Sequence, residues 1–222
     1  MDLYIDTANL DEIKQAADMG VLDGVTTNPS LIAKEGVDYS TRLAEICKVV
    51  EGCATGAPGP VSAEVIATDY EGMIKEGRRH ATIAGNIVVK LPCTLDGLKA
   101  CKTFSDENVP TNLTLCFQPL QALMVAKAGA FLVSPFIGRL DDIAQDGMEL
   151  IAGIRQIYDN FGLPTKILAA SIRHPLHFVQ CALAGADVAT VPFKVIRQVM
   201  QHPLTESGLE KFVADYNKAF GT

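Results

Sequence analysis

The sequence has no apolar run that approaches the roughly 20 residues a helix needs to cross a bilayer. Its first residues, Met1 to Asp6, contain neither a basic leader nor a long apolar segment, and so do not predict a signal peptide. Basic residues are in the minority, with 19 Lys and Arg against 26 Asp and Glu and a formal net charge of −7. This balance argues against a nucleic-acid or anionic-membrane partner, although it leaves room for a local basic pocket.

Motifs for metals, disulfides and dinucleotides are also absent. The six cysteines are scattered without a C-x-x-C pair, so reduced thiols in a cytoplasmic protein are a better interpretation than a disulfide framework. His174 and His177 have an H-x-x-H spacing, but Pro175 lies between them and no Cys or acidic partner stands at ligand spacing, so no metal is expected. No G-x-G-x-x-G follows the first strand, which removes support for a dinucleotide cofactor.

What the sequence does contain is an alternation of short apolar segments and helical patterns from one end to the other. Nothing divides the chain, so we predict one domain over residues 1–222. Eight strands are predicted, at Leu3–Asp6, Val25–Asn28, Val61–Ile66, Ile87–Leu91, Asn112–Phe117, Phe131–Phe136, Lys166–Ser171 and Val188–Phe193. Helical patterns lie between them, among others at Leu10–Met19, Tyr39–Val50, Tyr70–Ile83, Pro119–Ala128, Asp146–Phe161 and Pro175–Ala184.

Eight such units in 222 residues favour a closed parallel TIM-type (β/α)8 barrel over an open sheet. The last barrel helix is predicted at Val195–Gln201, and a further C-terminal helix is predicted over residues 204–222, where Ser207 and Glu210 stand at capping-box spacing. Its apolar stripe consists of Leu209, Phe212, Val213, Tyr216 and Phe220. This helix has no strand of its own to cover, so it either folds back or packs on a neighbouring subunit. The pattern does not choose between the two. The loop Cys53–Pro60 has no assigned purpose.

Lys90 stands inside the fourth predicted strand, Ile87–Leu91. Lysine is among the residues least often buried without a partner. Burial favours the neutral amine, which is a usable nucleophile. The alternative is a lysine at a strand end whose ammonium reaches water.

Polar residues stand near the carboxyl ends of seven predicted strands, the edge at which such barrels carry their chemistry. They are Asp6, Asn28, Glu64, Lys90, Asn112 with Thr114, Ser134 and Ser171. An amine with two carboxylates suits a Schiff base to a carbonyl substrate, followed by carbon–carbon bond chemistry. For Asn28 and Ser134 taken singly, a structural hydrogen bond is an equal alternative.

Arg139 and Arg173 each follow a strand end by a few residues. Two guanidinium groups on one rim would form an anion clamp, most simply for a substrate phosphate. The alternative is a pair of solvated surface arginines.

Seven segments taken together resemble the transaldolases of the short-chain type, over essentially the whole chain. They are D-T-A-N at 6–9, V-T-T-N-P-S at 25–30, V-S-A-E-V at 61–65, I-V-V-K-L-P at 87–92, N-L-T-L at 112–115, V-S-P-F-I-G-R at 133–139 and A-A-S-I-R at 169–173. The resemblance implies an eight-stranded α/β barrel with a Schiff-base lysine on the fourth strand, where Lys90 falls, and no cofactor.

The resemblance also implies residue roles. Lys90 would form the imine with a dihydroxyacetone unit, Asp6 would be the acid/base for the carbon–carbon bond, and Glu64 with Thr114 would drive imine formation and hydrolysis. Substrate contacts would come from Thr26, Asn28, Asn112, Ser134 and Phe136, and phosphate contacts from Arg139, Ser171 and Arg173. The implied reaction transfers dihydroxyacetone from sedoheptulose 7-phosphate to glyceraldehyde 3-phosphate in the pentose phosphate pathway.

Two alternatives to a transaldolase stay open. The related fructose-6-phosphate aldolases release free dihydroxyacetone and have Gln where Glu64 stands and Tyr where Phe136 stands, so this sequence favours the transferase. A non-catalytic barrel that binds sugar phosphates is the second alternative. Short transaldolases form rings of five that stack to ten, so the resemblance implies a homopentamer or homodecamer with the C-terminal helix on a neighbour.

Overall fold

The computed structural model describes residues 1–53 and 56–221, so two residues of the loop Cys53–Pro60, Ala54 and Thr55, lie outside it, as does Thr222. Eight parallel strands form a closed barrel in chain order, and β8 pairs with β1. The strands are β1 (Asp2–Asp6), β2 (Gly24–Thr26), β3 (Val61–Glu64), β4 (Ile87–Pro92), β5 (Thr111–Cys116), β6 (Leu132–Pro135), β7 (Lys166–Ala169) and β8 (Val188–Val191). The prediction of a TIM-type (β/α)8 barrel is confirmed.

Helices connect the strands on the outside of the barrel. They are α1 (Leu10–Asp18), α2 (Pro29–Lys34), α3 (Tyr39–Val49), α4 (Tyr70–Ala81), α5 (Leu95–Asp106), α6 (Pro119–Lys127), α7 (Ile137–Asp141), α8 (Gly147–Phe161), α9 (Pro175–Leu183), α10 (Phe193–Met200) and α11 (Pro203–Phe220). A 3₁₀ turn, Val50–Gly52, follows α3. Side-chain caps begin many of these helices; Asn9, for example, accepts from two backbone N–H groups of α1.

The strand register separates an apolar lower layer of the barrel interior from a polar upper layer. Tyr4, Val88, Leu132, Leu168, Ala170 and Val188 form an apolar cluster separate from the main core. Two residues further along four of these strands, on the same face, stand the polar residues Asp6, Lys90, Ser134 and Thr190. Gly24 makes room for the Tyr4 ring, since a Cβ there would lie 2.7 Å from it. The larger core lies between the outer strand faces and the helices.

The C-terminal helix begins earlier than predicted. It starts at Pro203, with the His202 ring accepting from the Leu204 N–H at 3.2 Å, and the expected capping box at Ser207 is wrong because Ser207 lies inside the helix. Proline suits the first helical position because its missing N–H would have no partner there. No residue of α11 is buried.

Two further observations bear on the class of protein. Within the part of the chain that the structure describes, no helix is long and apolar enough to cross a membrane. None of the six cysteines, all within that part, forms a disulfide.

Candidate active site

A cavity of about 190 Å³ opens at the carboxyl edge of the strands. Nine of the twelve predicted site residues line it: Asp6, Thr26, Asn28, Lys90, Ser134, Phe136, Arg139, Ser171 and Arg173. Leu168, Ala170 and Thr190 complete the lining. Glu64, Asn112 and Thr114 are not part of the lining. A larger cavity of about 570 Å³ lies at the opposite end of the barrel, between residues such as Pro60, Asn86 and Pro110. Its position before the strands is not the edge that carries catalytic groups in this fold.

Lys90 is buried, with 5% of its surface exposed, so the alternative of an ammonium in bulk water is wrong. Its Nζ lies 3.0 Å from Glu64 Oε2 and donates a hydrogen bond to the Thr27 carbonyl oxygen at 3.0 Å. Glu64 and Lys90 are register partners on β3 and β4, which places both side chains on one face. The Tyr39 hydroxyl donates to the Glu64 carbonyl oxygen at 2.7 Å and holds the end of β3. A carboxylate is therefore positioned to exchange a proton with the amine.

Asp6 ends a chain of three side-chain hydroxyl and carboxylate groups. Thr26 Oγ1 donates to Asp6 Oδ1 at 2.8 Å and lies 2.6 Å from Thr190 Oγ1. Because the single Thr26 hydroxyl hydrogen goes to Asp6, Thr190 is the donor toward Thr26. Burial raises the pKa of Asp6, while the charge of Lys90 and the Thr26 hydrogen bond act in the opposite direction. A raised carboxyl pKa suits a group that must both accept and return a proton.

Asn112 and Ser134 form a second network beneath the cavity. Ser134 Oγ donates to Asn112 Oδ1 at 2.6 Å, and Asn112 Nδ2 donates to Ser62 Oγ at 3.1 Å. Asn112 therefore lies behind Ser134 and orients it. Thr114 is fully buried, and its hydroxyl has no hydrogen-bond partner among the described residues.

The two arginines both line the cavity. The Arg139 guanidinium carbon lies 5.7 Å from the centre of the Phe136 ring, close enough for a cation–π contact. Arg173 Nη2 donates to Asp142 Oδ2 at 2.8 Å, and about half of each side chain is exposed. Ser171, between β7 and Arg173, has a left-handed backbone with φ of +62°.

Asn28 lies two residues beyond the end of β2, outside the strand predicted to contain it. Its Oδ1 accepts from the Leu31 N–H at 2.9 Å and caps α2. The Asn28 side-chain oxygen therefore makes a structural hydrogen bond, the alternative to a substrate contact. The residue also lines the cavity.

The eighth strand contributes a site residue that the sequence pattern did not single out. Thr190 lines the cavity and donates to Thr26, which in turn holds Asp6. A polar residue two positions beyond Val188, on the inward face, was the available signal. Threonine is so common in strands that the signal is weak. Ser62, Thr27 and Asp142 also went unnoticed, because a carbonyl contact or a side-chain network is not visible in a sequence.

A buried lysine beside one carboxylate, in a cavity shared with a second, at the carboxyl edge of a (β/α)8 barrel defines an aldolase-type enzyme. The family described as Transaldolase/Fructose-6-phosphate aldolase matches residues 3–222, and the chain belongs to this family.

Curated relatives agree with this assignment, and a solved structure agrees with the fold. The chain is 55% identical over 218 residues to a probable transaldolase of Anaeromyxobacter sp. (strain K), covering 98% of this chain and 97% of the relative. It is 58% identical over 219 residues to a probable transaldolase of Exiguobacterium sibiricum, covering 99% of each. Dihydrodipicolinate synthase from Rhodopseudomonas palustris has a TM-score of 0.60 at 17% identity, covering 98% of this chain and 79% of that one. That likeness shows the fold alone.

Proposed function

We propose that the protein is a transaldolase that transfers a dihydroxyacetone unit from sedoheptulose 7-phosphate to glyceraldehyde 3-phosphate. The transfer runs through a Schiff base on Lys90 and belongs to the pentose phosphate pathway in the cytoplasm. The observation that carries the proposal is the buried Lys90 Nζ, 3.0 Å from Glu64 Oε2, in a cavity that also holds Asp6 and two arginines.

The first step forms the imine. Glu64 takes a proton from Lys90, and the amine attacks the ketose carbonyl carbon to give a carbinolamine. Glu64 then returns the proton to the departing hydroxyl, which leaves as water. Thr114 supports this step, since its buried hydroxyl has no partner among the described residues and is available to hold that water. The same groups acting in reverse hydrolyse the final imine.

The second step breaks the carbon–carbon bond. The Asp6 carboxylate accepts the proton of the hydroxyl on the neighbouring carbon, the bond electrons move into the imine, and an aldose phosphate leaves. Asp6 then gives the proton to the new alkoxide when an acceptor aldehyde adds. Ser134, oriented by Asn112, supports the hydroxyls of the bound unit, as do Asn28 and Thr26 in the lining. Arg139, Ser171 and Arg173 suit the phosphate.

The nature of Phe136 favours transfer over free aldolase activity. Its ring lines the cavity, packs edge-on against Phe117 at a centroid distance of 6.0 Å and offers no proton. The carbanionic intermediate is therefore not protonated by this residue and persists until an acceptor aldehyde binds. A phenol at this position would protonate the intermediate or place water, and would let dihydroxyacetone leave.

Phe136→Tyr should raise the release of free dihydroxyacetone from fructose 6-phosphate by at least about tenfold. The measurement is a coupled assay without acceptor, and Phe117→Tyr, which changes a ring outside the lining, is the matched control. Sustained wild-type turnover without acceptor, at the rate of the transfer reaction, would instead establish the fructose-6-phosphate aldolase alternative.

We also propose a homopentamer or homodecamer in which α11 packs on a neighbouring subunit. The supporting observation is that α11 exposes a stripe of large apolar side chains, including 70% of Phe212 and 59% of Val213, and buries none of its residues within the chain. Exposed apolar surface of this extent marks an interaction site.

Light scattering should show a particle several chains in mass, and Phe212→Asp should reduce it toward the mass of one chain because a charge in an apolar interface is poorly tolerated. Lys211→Glu, on the opposite side of the helix, is the control and should leave the mass unchanged. A wild-type mass of one chain would contradict the proposed assembly.

A further inference from the structure

The main chain that carries Arg173 is packed tightly against the start of α7. The Gly138 N–H donates to the Ser171 carbonyl oxygen at 3.2 Å. A Cβ on Gly138 would lie 2.2 Å from that oxygen and 2.6 Å from Arg173 Nε. The backbone and the arginine side chain as far as Nε thus pack closely on Gly138, while Nη2 pairs at the surface with Asp142.

His177 makes a second contact with this segment. The Arg173 N–H donates to His177 Nδ1 at 3.3 Å, and His177 Nε2 lies 2.8 Å from Asp141 Oδ2. Asp141 is itself held, because its Oδ1 accepts from the Gly147 N–H at 2.9 Å. This pattern assigns a neutral imidazole with its hydrogen on Nε2, since Nδ1 must accept while Nε2 donates.

The charged and titratable groups that face His177 favour the neutral ring. The His174 ring lies 3.8 Å away between centroids, and its Nδ1 accepts from the His177 N–H at 3.3 Å. Burial, followed by the charge of His174, lowers the pKa of His177, and Arg173 acts in the same direction. Asp141 opposes them and raises it. Neither histidine belongs to a group that would hold a metal ion within the described residues.

We propose that His177, oriented by Asp141, is a positioning residue that fixes the Arg173 main chain. With its main chain held in place, the Arg173 guanidinium can exchange Asp142 for the phosphate of the substrate. Protonation of His177 turns Nδ1 into a donor that faces the Arg173 N–H, so the contact is lost and the clamp loosens. This inference rests on the proposed function only in taking the anion to be a substrate phosphate.

Sulfate is a suitable probe because its charge does not change across the range of about pH 5 to 8 in which histidine titrates. Binding is measured by calorimetry on the full chain. His177→Leu should weaken sulfate binding about tenfold, the effect of one lost hydrogen bond that orders a charged group. His177→Asn, whose Oδ1 can replace Nδ1 as acceptor, should stay within about threefold of wild type.

Asp141→Asn tests the tautomer. The asparagine oxygen can still accept from the Gly147 N–H, but its NH₂ then faces His177 Nε2 and favours the tautomer with hydrogen on Nδ1. Sulfate binding should again weaken about tenfold. Thermal melting shows whether each variant is folded. For the folded variants, the KM for glyceraldehyde should equal that of the wild type, because this acceptor lacks a phosphate.

The pH profile tests the same idea in the wild-type protein. The pKa of His177 is lowered from the ordinary histidine value of about 6.5. The neutral ring, which accepts from the Arg173 N–H, therefore persists at pH 6.5 and is lost only at more acidic pH. Sulfate affinity should fall in that acidic range for wild type but not for His177→Asn.

The outcomes separate the positioning role from the proposed function. Wild-type-like sulfate binding by His177→Leu, or an equal loss with glyceraldehyde, would overturn the positioning role even if transfer activity is present. A protein without transfer activity that shows the sulfate dependence would retain the positioning role and lose the proposed function. Failure of sulfate to bind the wild type would overturn the anion clamp and the positioning role together.

Discussion

Replacing Lys90 by methionine should lower the transfer rate by about 10⁴-fold, because no other group in the cavity can form the covalent intermediate. Methionine keeps the length and apolar character of the side chain, so the fold should be maintained. Lys166→Met is the matched control: Lys166 begins β7, far from the cavity, with its Nζ 3.3 Å from Asp2 Oδ2. The rate is measured with sedoheptulose 7-phosphate and glyceraldehyde 3-phosphate.

Chemical trapping gives the same prediction a direct readout. Fructose 6-phosphate and borohydride should add a stable mass to Lys90 in the wild type and none in Lys90→Met. Labelling at another lysine would overturn the assignment of the nucleophile. Absence of both transfer and trapping in the wild type, with sugar phosphates still bound, would support the non-catalytic sugar-phosphate-binding barrel over either enzyme.

Asp6→Asn should lower kcat by about 10²- to 10⁴-fold while borohydride trapping at Lys90 persists. Asparagine can still accept from Thr26 but cannot take up the proton released when the carbon–carbon bond breaks. Asp2→Asn, on the same strand but outside the cavity, is the control and should retain its activity. Loss of trapping together with turnover would place Asp6 in imine formation and contradict the proposed division of roles between Asp6 and Glu64.

The raised pKa of Asp6 determines the sign of two pH effects. The carboxylate must be ionised to accept the proton, so the wild-type rate should fall as the pH drops through the raised pKa. A carboxyl group usually has a lowered pKa in the folded state, and the free energy of unfolding then rises with pH. Asp6 has a raised pKa, so its contribution changes with pH in the opposite direction. Between the ordinary value of 3.8 and the raised value the folded state binds more protons than the unfolded state, so the free energy of unfolding falls as the pH rises.

Asp6→Asn should therefore be more stable than wild type at neutral pH, with the difference shrinking below the ordinary carboxyl pKa. Denaturant unfolding of both proteins across this range provides the measurement. A variant less stable than wild type at neutral pH would show that the attraction of Lys90 for Asp6 outweighs the desolvation of the carboxylate.

Strand number, strand order and the lysine position were predictable because they depend on local patterns. A short apolar run between turn residues specifies a buried parallel strand wherever it stands, and eight in succession with helices between them leave few arrangements. Boundaries were less predictable. β2 ends at Thr26 rather than at Asn28, because Asn28 caps the following helix, and α11 begins at Pro203 rather than near Ser207. At Asn28 a strand signal competed with a helix-cap signal, and at the start of α11 the capping-box pattern at Ser207 competed with Pro203. The tertiary structure selected the cap at Asn28 and the start at Pro203.

The sequence by itself determined that a lysine, two acids and two arginines stand near one edge of a barrel, because the period of a strand and the parallel order of the sheet dictate it. Only the tertiary structure decided which of these groups touch. It placed Glu64 against Lys90, Asn112 behind Ser134, Thr190 behind Thr26 and His177 beneath Arg173. These contacts join residues up to 164 positions apart, and their geometry depends on how the closed barrel brings distant strands and loops within hydrogen-bonding distance.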